Sequence, residues 1–124
     1  MSRIIETDKA PKAIGPYSQA VVCGNVVYTS GQIAINPETG SVEAGTIEAQ
    51  TEQVCKHLKG LLEASGSDIS KVVKTTCFLR NMEDFAAFNA VYEKYFVSKP
   101  ARSCVAVREL PKNVLVEIDT IAEV

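Results

Sequence analysis

Apolar and polar positions follow two rhythms along this chain, and the switches between them predict its elements. From residue 19 to 35, "QAVVCGNVVYTSGQIAI" is rich in Val and Tyr around the turn residues Gly24-Asn25, which predicts two strands joined as a hairpin. The polar run "NPETGSVEAG" that follows reads as a loop. From Thr46 the rhythm turns helical: Val54, Leu58, Leu61, Leu62 and Ser65 share one face, and Glu48, Glu52, Lys56 and Lys59 fall mostly outside it. Thr46 suits the N-cap and Gly66 the stop. "KVVKTTCFLR" returns to strand spacing, with Val72, Lys74, Thr76 and Phe78 on one side and Val73, Thr75, Cys77 and Leu79 on the other. Asn81 with Glu83-Asp84 opens a second helix whose Phe85, Phe88, Val91, Tyr92, Tyr95 and Phe96 form an aromatic stripe, read as core. "RSCVAVREL" and "NVLVEIDTIAEV" then predict two strands around the turn "LPKN".

The order is thus ββ, helix, β, helix, ββ, an α+β domain spanning residues 1–124 with both helices on one face of a mostly antiparallel sheet. Two amphipathic helices cannot cover both faces, so the other face is expected to be buried against another subunit. If "LPKN" closes a four-residue hairpin, Cys104 lies opposite Asp119 and Ala106 opposite Glu117, and Arg102, Cys104, Glu117 and Asp119 share a face. Spacing alone favours the simpler reading of that face, a surface carrying a weak ion pair, and leaves a cleft lining open.

Charge and cysteine usage then exclude several classes. Thirteen Lys+Arg against 15 Asp+Glu give a net charge of −2 with no basic stripe, which makes nucleic acid an unlikely partner. No apolar run approaches membrane-spanning length and no export signal is visible, so a cytoplasmic location without membrane contact is expected. Cys23, Cys55, Cys77 and Cys104 are widely and irregularly spaced, as reduced thiols would be. The sole histidine, His57, sits on the first helix and reads as a partly exposed helix residue; neither a metal site nor a Cys-His or Ser-His-Asp arrangement follows. No phosphate-binding loop is present.

"AIGPYSQAV", "YTSGQIAINPETG", "VVKTTCFL", "FNAVYEKYF", "PARSCVAV" and "LVEID", in this order and covering nearly the whole chain, resemble the RidA (YjgF) family of enamine/imine deaminases. That resemblance implies a chorismate-mutase-like fold assembled as a homotrimer with clefts between subunits. It also implies hydrolysis of short-lived 2-aminoacrylate or 2-iminobutyrate-type acids to 2-keto acids and ammonia, without a cofactor or metal. Carried onto this chain, Arg102 would clamp the substrate carboxylate through two parallel hydrogen bonds. Glu117 would orient water and shuttle protons, with a pKa expected to rise in a partly closed cleft and Asp119 as understudy. Tyr17 would supply a hydroxyl and a ring wall, Ser30 a hydroxyl and Gly31 a closely approached backbone, while Asn89 and Cys104 would line the cleft. From the residues alone, Tyr17 packed in a loop is an equal alternative, Ser30-Gly31 also reads as ordinary turn chemistry, and Asn89 facing solvent is slightly favoured. Between Phe96 and Pro100 the chain has only three residues, shorter than is usual in the family, which bears on substrate size. A non-catalytic 2-keto acid binding or regulatory protein, and a translation inhibitor or ribonuclease, are the alternatives; the acidic balance argues against the last.

Overall fold

At residues 24–25 the chain reverses on Gly24, whose φ of +61° no β-carbon has to accommodate, and the strands on either side pair from Ala20–Thr29 to Cys23–Val26. This hairpin, β2 (Ala20–Cys23) and β3 (Val26–Thr29), belongs to a six-stranded sheet in a computed structural model that describes residues 2–124. The other strands are β1 (Ser2–Ile5), β4 (Val72–Leu79), β5 (Ala101–Ala106) and β6 (Val116–Glu123), in the spatial order β1-β2-β3-β6-β4-β5. Every pairing is antiparallel except that of β4 with β5. The edge strand β1 has no counterpart in the pattern read from the sequence.

Helix α1 (Ile47–Ala64) begins where Thr46 Oγ1 accepts the Ala49 N–H at 3.1 Å, a cap worth about 1 kcal/mol. It ends where Gly66, at φ +83°, lets the Ser67 N–H reach back to the Leu62 carbonyl. Its Val54, Leu58, Leu61 and Leu62 are fully buried against one sheet face together with Phe88 and Tyr92 of α2 (Phe85–Tyr95). The sheet contributes Val27, Cys77, Leu79, Val116 and Ile118 to this core. Both helices therefore cover the same face. On the opposite face Tyr28, Val73 and Val105 remain nearly half exposed, as expected of a sheet with helices on one side only.

Three local readings are corrected. β5 and β6 do not form a hairpin. The turn at Pro111–Asn113 places both Lys112 and Asn113 at positive φ (55° and 56°) and redirects the chain, and β6 inserts between β3 and β4. Residues 80–100, with α2, supply the long crossover that a parallel β4–β5 pair needs. Val72 does not share a side with Lys74: the β4–β6 register shifts between them, so Val72 is buried while Val73 bulges outward. His57 is only 6% exposed, its Nε2 hydrogen-bonded with the Ile35 carbonyl at 2.9 Å, rather than partly exposed.

Candidate functional site

The pleat decides which of the candidate side chains can meet. In β6, Val116, Ile118 and Thr120 point into the core, so Glu117 and Asp119 point to the uncovered face, where Glu117 lies level with Phe78 and Asp119 with Thr76 of β4. In β5, Arg102 lies level with the buried Thr75 and Cys104 with the buried Cys77. Arg102 and Cys104 therefore point to the helix side. The expectation that Arg102, Cys104, Glu117 and Asp119 share one face fails because it rested on a β5–β6 hairpin, whereas β4 lies between the two strands.

Two groupings result. On the uncovered side, a cavity of about 350 Å³ is lined by Tyr17, Ser30, Gly31 and Glu117, with Lys12, Gln19 and Gln32 as further polar members and Ile14, Ile33, Ile35 and Pro111 among its walls. Glu117 passes so close over Gly31 that a β-carbon there would stand 2.1 Å from its Oε2. Burial raises the Glu117 pKa above the ordinary carboxylate range, and the charge of Asp119 on the same face adds to the effect. Burial raises Asp119 as well, with the Thr76 hydroxyl and Lys74 pulling the other way. The hydroxyl of Ser30 is already committed, donating to the Ser18 carbonyl at 2.6 Å, and the Tyr17 hydroxyl accepts the Ile14 N–H at 3.3 Å. The Gln19 amide is consumed in holding the backbone at Thr7, Ala10 and Pro11, which fixes the segment that forms the cavity rim.

On the helix side, Arg102 is held by α2. Its guanidinium donates to Asn89 Oδ1 at 2.7 Å, with the Tyr92 ring centroid at 4.9 Å and that of Phe85 at 5.4 Å. Tyr92 is itself fixed, its hydroxyl sharing a 2.7 Å hydrogen bond with Thr75 and its ring stacked on Phe96 at 4.3 Å. Arg102 lines a second depression with Glu93, Val97 and Lys99, so the short 97–99 segment borders the guanidinium. Burial raises the Cys104 pKa, outweighing the opposing pull of Arg102, and this keeps the group a thiol. No His/Cys/Asp/Glu cluster suited to a metal ion occurs among the described residues, and no described helix is long and apolar enough to cross a membrane.

The structure thus brings Tyr17, Ser30, Gly31 and Glu117 together, and Arg102, Asn89 and Cys104 together, on opposite faces of one chain. Gln19, Gln32 and the aromatic shelf under Arg102 were not singled out in the sequence as parts of a site. A glutamine in "YSQA" and another in "SGQI", where apolar residues would suffice for packing, were the available signal.

Comparison with known proteins gives a consistent assignment. Residues 7–124 match the family model described as Endoribonuclease L-PSP. A Lactococcus lactis relative carrying a regulator's name, AldR, is 53% identical over 98% of both chains. The 2-iminobutanoate/2-iminopropanoate deaminase of Escherichia coli K12 is 48% identical, again over 98% of both. A Thermotoga maritima crystal structure titled as an endoribonuclease superposes with a TM-score of 0.96 at 56% identity, covering 100% of this chain and 98% of that one. With the match running through nearly every element described above, the chain belongs to the Endoribonuclease L-PSP family, the group of YjgF, RidA and RutC proteins.

Proposed function

We propose that this protein is an enamine/imine deaminase whose sites form between copies of the chain in a homotrimer. The observation that carries the reading is the split just described: an acid with a raised pKa beside a cavity on an uncovered sheet face, and a rigidly held guanidinium on the other side of the same sheet. Neither half serves a 2-imino acid by itself. A second copy that covers the open face with its β5 edge would bring its Arg102 to the cavity of the first.

In that arrangement Arg102 binds the substrate carboxylate through its fork, and its planarity fixes the plane of the imine. Glu117 takes a proton from water as the water oxygen bonds to C2 and the C=N π electrons move to nitrogen, which is protonated in turn. Glu117 then passes the carbinolamine hydroxyl proton to the amine nitrogen, and the C–N electron pair leaves with it as ammonia while the C=O bond forms. The products are the 2-keto acid and ammonia, with one water consumed and no electrons transferred. Tyr17 walls the substrate, and Gly31 permits its close approach to Glu117. The 48% identical E. coli relative bears a deaminase name, which supports this reading. RNA cleavage is disfavoured by the net charge of −2 and by the burial of the only histidine.

The test is keto acid release from imine generated in situ by a threonine dehydratase, using Arg102→Ala and Glu117→Gln separately and then co-assembled in equal amounts. Each variant alone is expected to be inactive. The mixture is expected to recover about a quarter of wild-type activity, since half the clefts receive an intact Glu117 and half of those an intact Arg102. No recovery in mixed trimers would locate the site within one chain, and no turnover by the wild type would end the deaminase reading.

A further inference from the structure

We propose that His57, which the imine chemistry does not use, is a positioning residue: through the Ile35 carbonyl it holds the wall that faces Glu117. This rests on the imine-hydrolysis reading of the Glu117 cavity.

A histidine buried on the core side of a helix needs a reason, because an imidazole gives up hydration that a leucine would not have to. His57 is 6% exposed, and its ring bonds through Nε2 to the Ile35 carbonyl at 2.9 Å. A carbonyl only accepts, so Nε2 carries the proton and the partner assigns the tautomer. Burial lowers the His57 pKa and the bond to Ile35 opposes it less strongly, so the ring at pH 7 is a neutral donor.

That bond reaches a segment which forms the site. Ile35 is buried yet stands outside the main core, and with Ile33 it walls the Glu117 cavity. The Ile35 N–H donates to the Ile33 carbonyl at 2.8 Å, closing a tight turn over Ala34. Gln32 pairs in antiparallel register with the core residue Ile118, exchanging two main-chain hydrogen bonds at 2.8 and 3.2 Å. One step along each strand, Ile33 therefore turns to the open side, level with Glu117. Beyond Ile35 the hydrogen bonds of Asn36 all stay within its own loop, to Glu38, Gly40, Ser41 and Glu43. The wall is thus tied to β6 at one end and to α1, by His57, at the other.

An apolar wall beside a carboxylic acid keeps water from it, and burial is the larger cause of the raised Glu117 pKa. The other charges on that side are Asp119 on the same strand, Lys74 of β4 beside Asp119, and Lys12 at the cavity. Releasing the turn at Ile35 frees Ile33, admits water to Glu117 and lets the carboxylate drift from the place where it meets substrate.

The experiment compares wild type, His57→Leu and His57→Gln, which keeps a side-chain N–H for the same carbonyl, in kcat/KM for imine generated by excess dehydratase at each pH. His57→Leu is expected to lose at least about tenfold, since a displacement near 1 Å at a reacting group costs on the order of a hundredfold, and to move the acid limb of the profile downward. His57→Gln is expected to return to within about threefold of wild type, with the limb in place. Equal losses in both variants, a loss in His57→Leu with an unmoved limb, or no loss at all would overturn the assignment, while wild-type turnover keeps the deaminase reading standing. Should His57→Leu not fold, the His57 Nε2–H resonance of the wild type decides: filling the cavity with 2-ketobutyrate is expected to shift it, and a resonance that ignores ketobutyrate overturns the proposal.

Discussion

Replacing Gly31 by alanine separates fold from function at a single methyl group. Gly31 is not among the glycines at positive φ, so its backbone accepts a side chain. A β-carbon there would lie 2.1 Å from Glu117 Oε2, 2.8 Å from Cδ and 3.1 Å from Cγ. Ordinary contact begins near 3.4 Å, so the carboxylate has to retreat by about 1.3 Å (3.4 minus 2.1). The atom that must move is the far end of a flexible side chain, so the fold absorbs the change. Reduced freedom of the unfolded chain offsets it further by about 0.4–1 kcal/mol. Catalysis does not tolerate such a shift, because a displacement near 1 Å costs on the order of a hundredfold, or about 2.7 kcal/mol of barrier. Gly31→Ala is therefore expected to melt within a few degrees of the wild type and to lose about a hundredfold in kcat/KM for the dehydratase-generated imine. A variant within about threefold of wild-type turnover would refute the role given to Glu117 against Gly31.

Further outcomes follow from the same geometry. Glu117 has a folded-state pKa above its unfolded value, so ionising it opposes folding: stability falls as pH rises from the unfolded pKa through the folded one. Glu117→Gln is expected to raise the melting temperature at pH 7 and to lose that advantage at pH 3; an equal gain at both would remove the electrostatic cause. Because the Asp119 charge contributes to that shift, Asp119→Asn should move the acid limb of the kcat/KM–pH profile downward, and an unmoved limb would uncouple the two acids. Tyr92→Phe strands the buried Thr75 hydroxyl and should cost about 1–3 kcal/mol in urea unfolding; less than 0.5 kcal/mol would show the 2.7 Å bond to be unimportant. Light scattering should give about 40 kDa, three times 13.4 kDa, for the wild type, and a single chain for Val105→Asp on the open face. A trimer in both would place the interface elsewhere.

Much of this protein was legible in its sequence because the signals are local. The Gly24 turn, the Thr46 cap, the Gly66 stop and the apolar stripe of α1 each depend on residues within a few positions of one another, and all stand where the pattern puts them. The family was legible too, since motifs such as "GPYSQ", "TSGQ" and "PARS" identify it before any coordinate is known. What the sequence could not decide is which strands become neighbours. "LPKN" looks like a hairpin turn, yet β5 pairs in parallel with β4 while β6 fills the centre of the sheet, because central burial of Val116, Ile118 and Thr120 outweighs a short-range turn preference. That one choice sends Arg102 to the helix side and Glu117 to the open side. Side-chain direction in a sheet has a period of two and is set by register with distant strands, so only the tertiary structure determined that the two charged residues of the candidate site lie on opposite faces of a single chain.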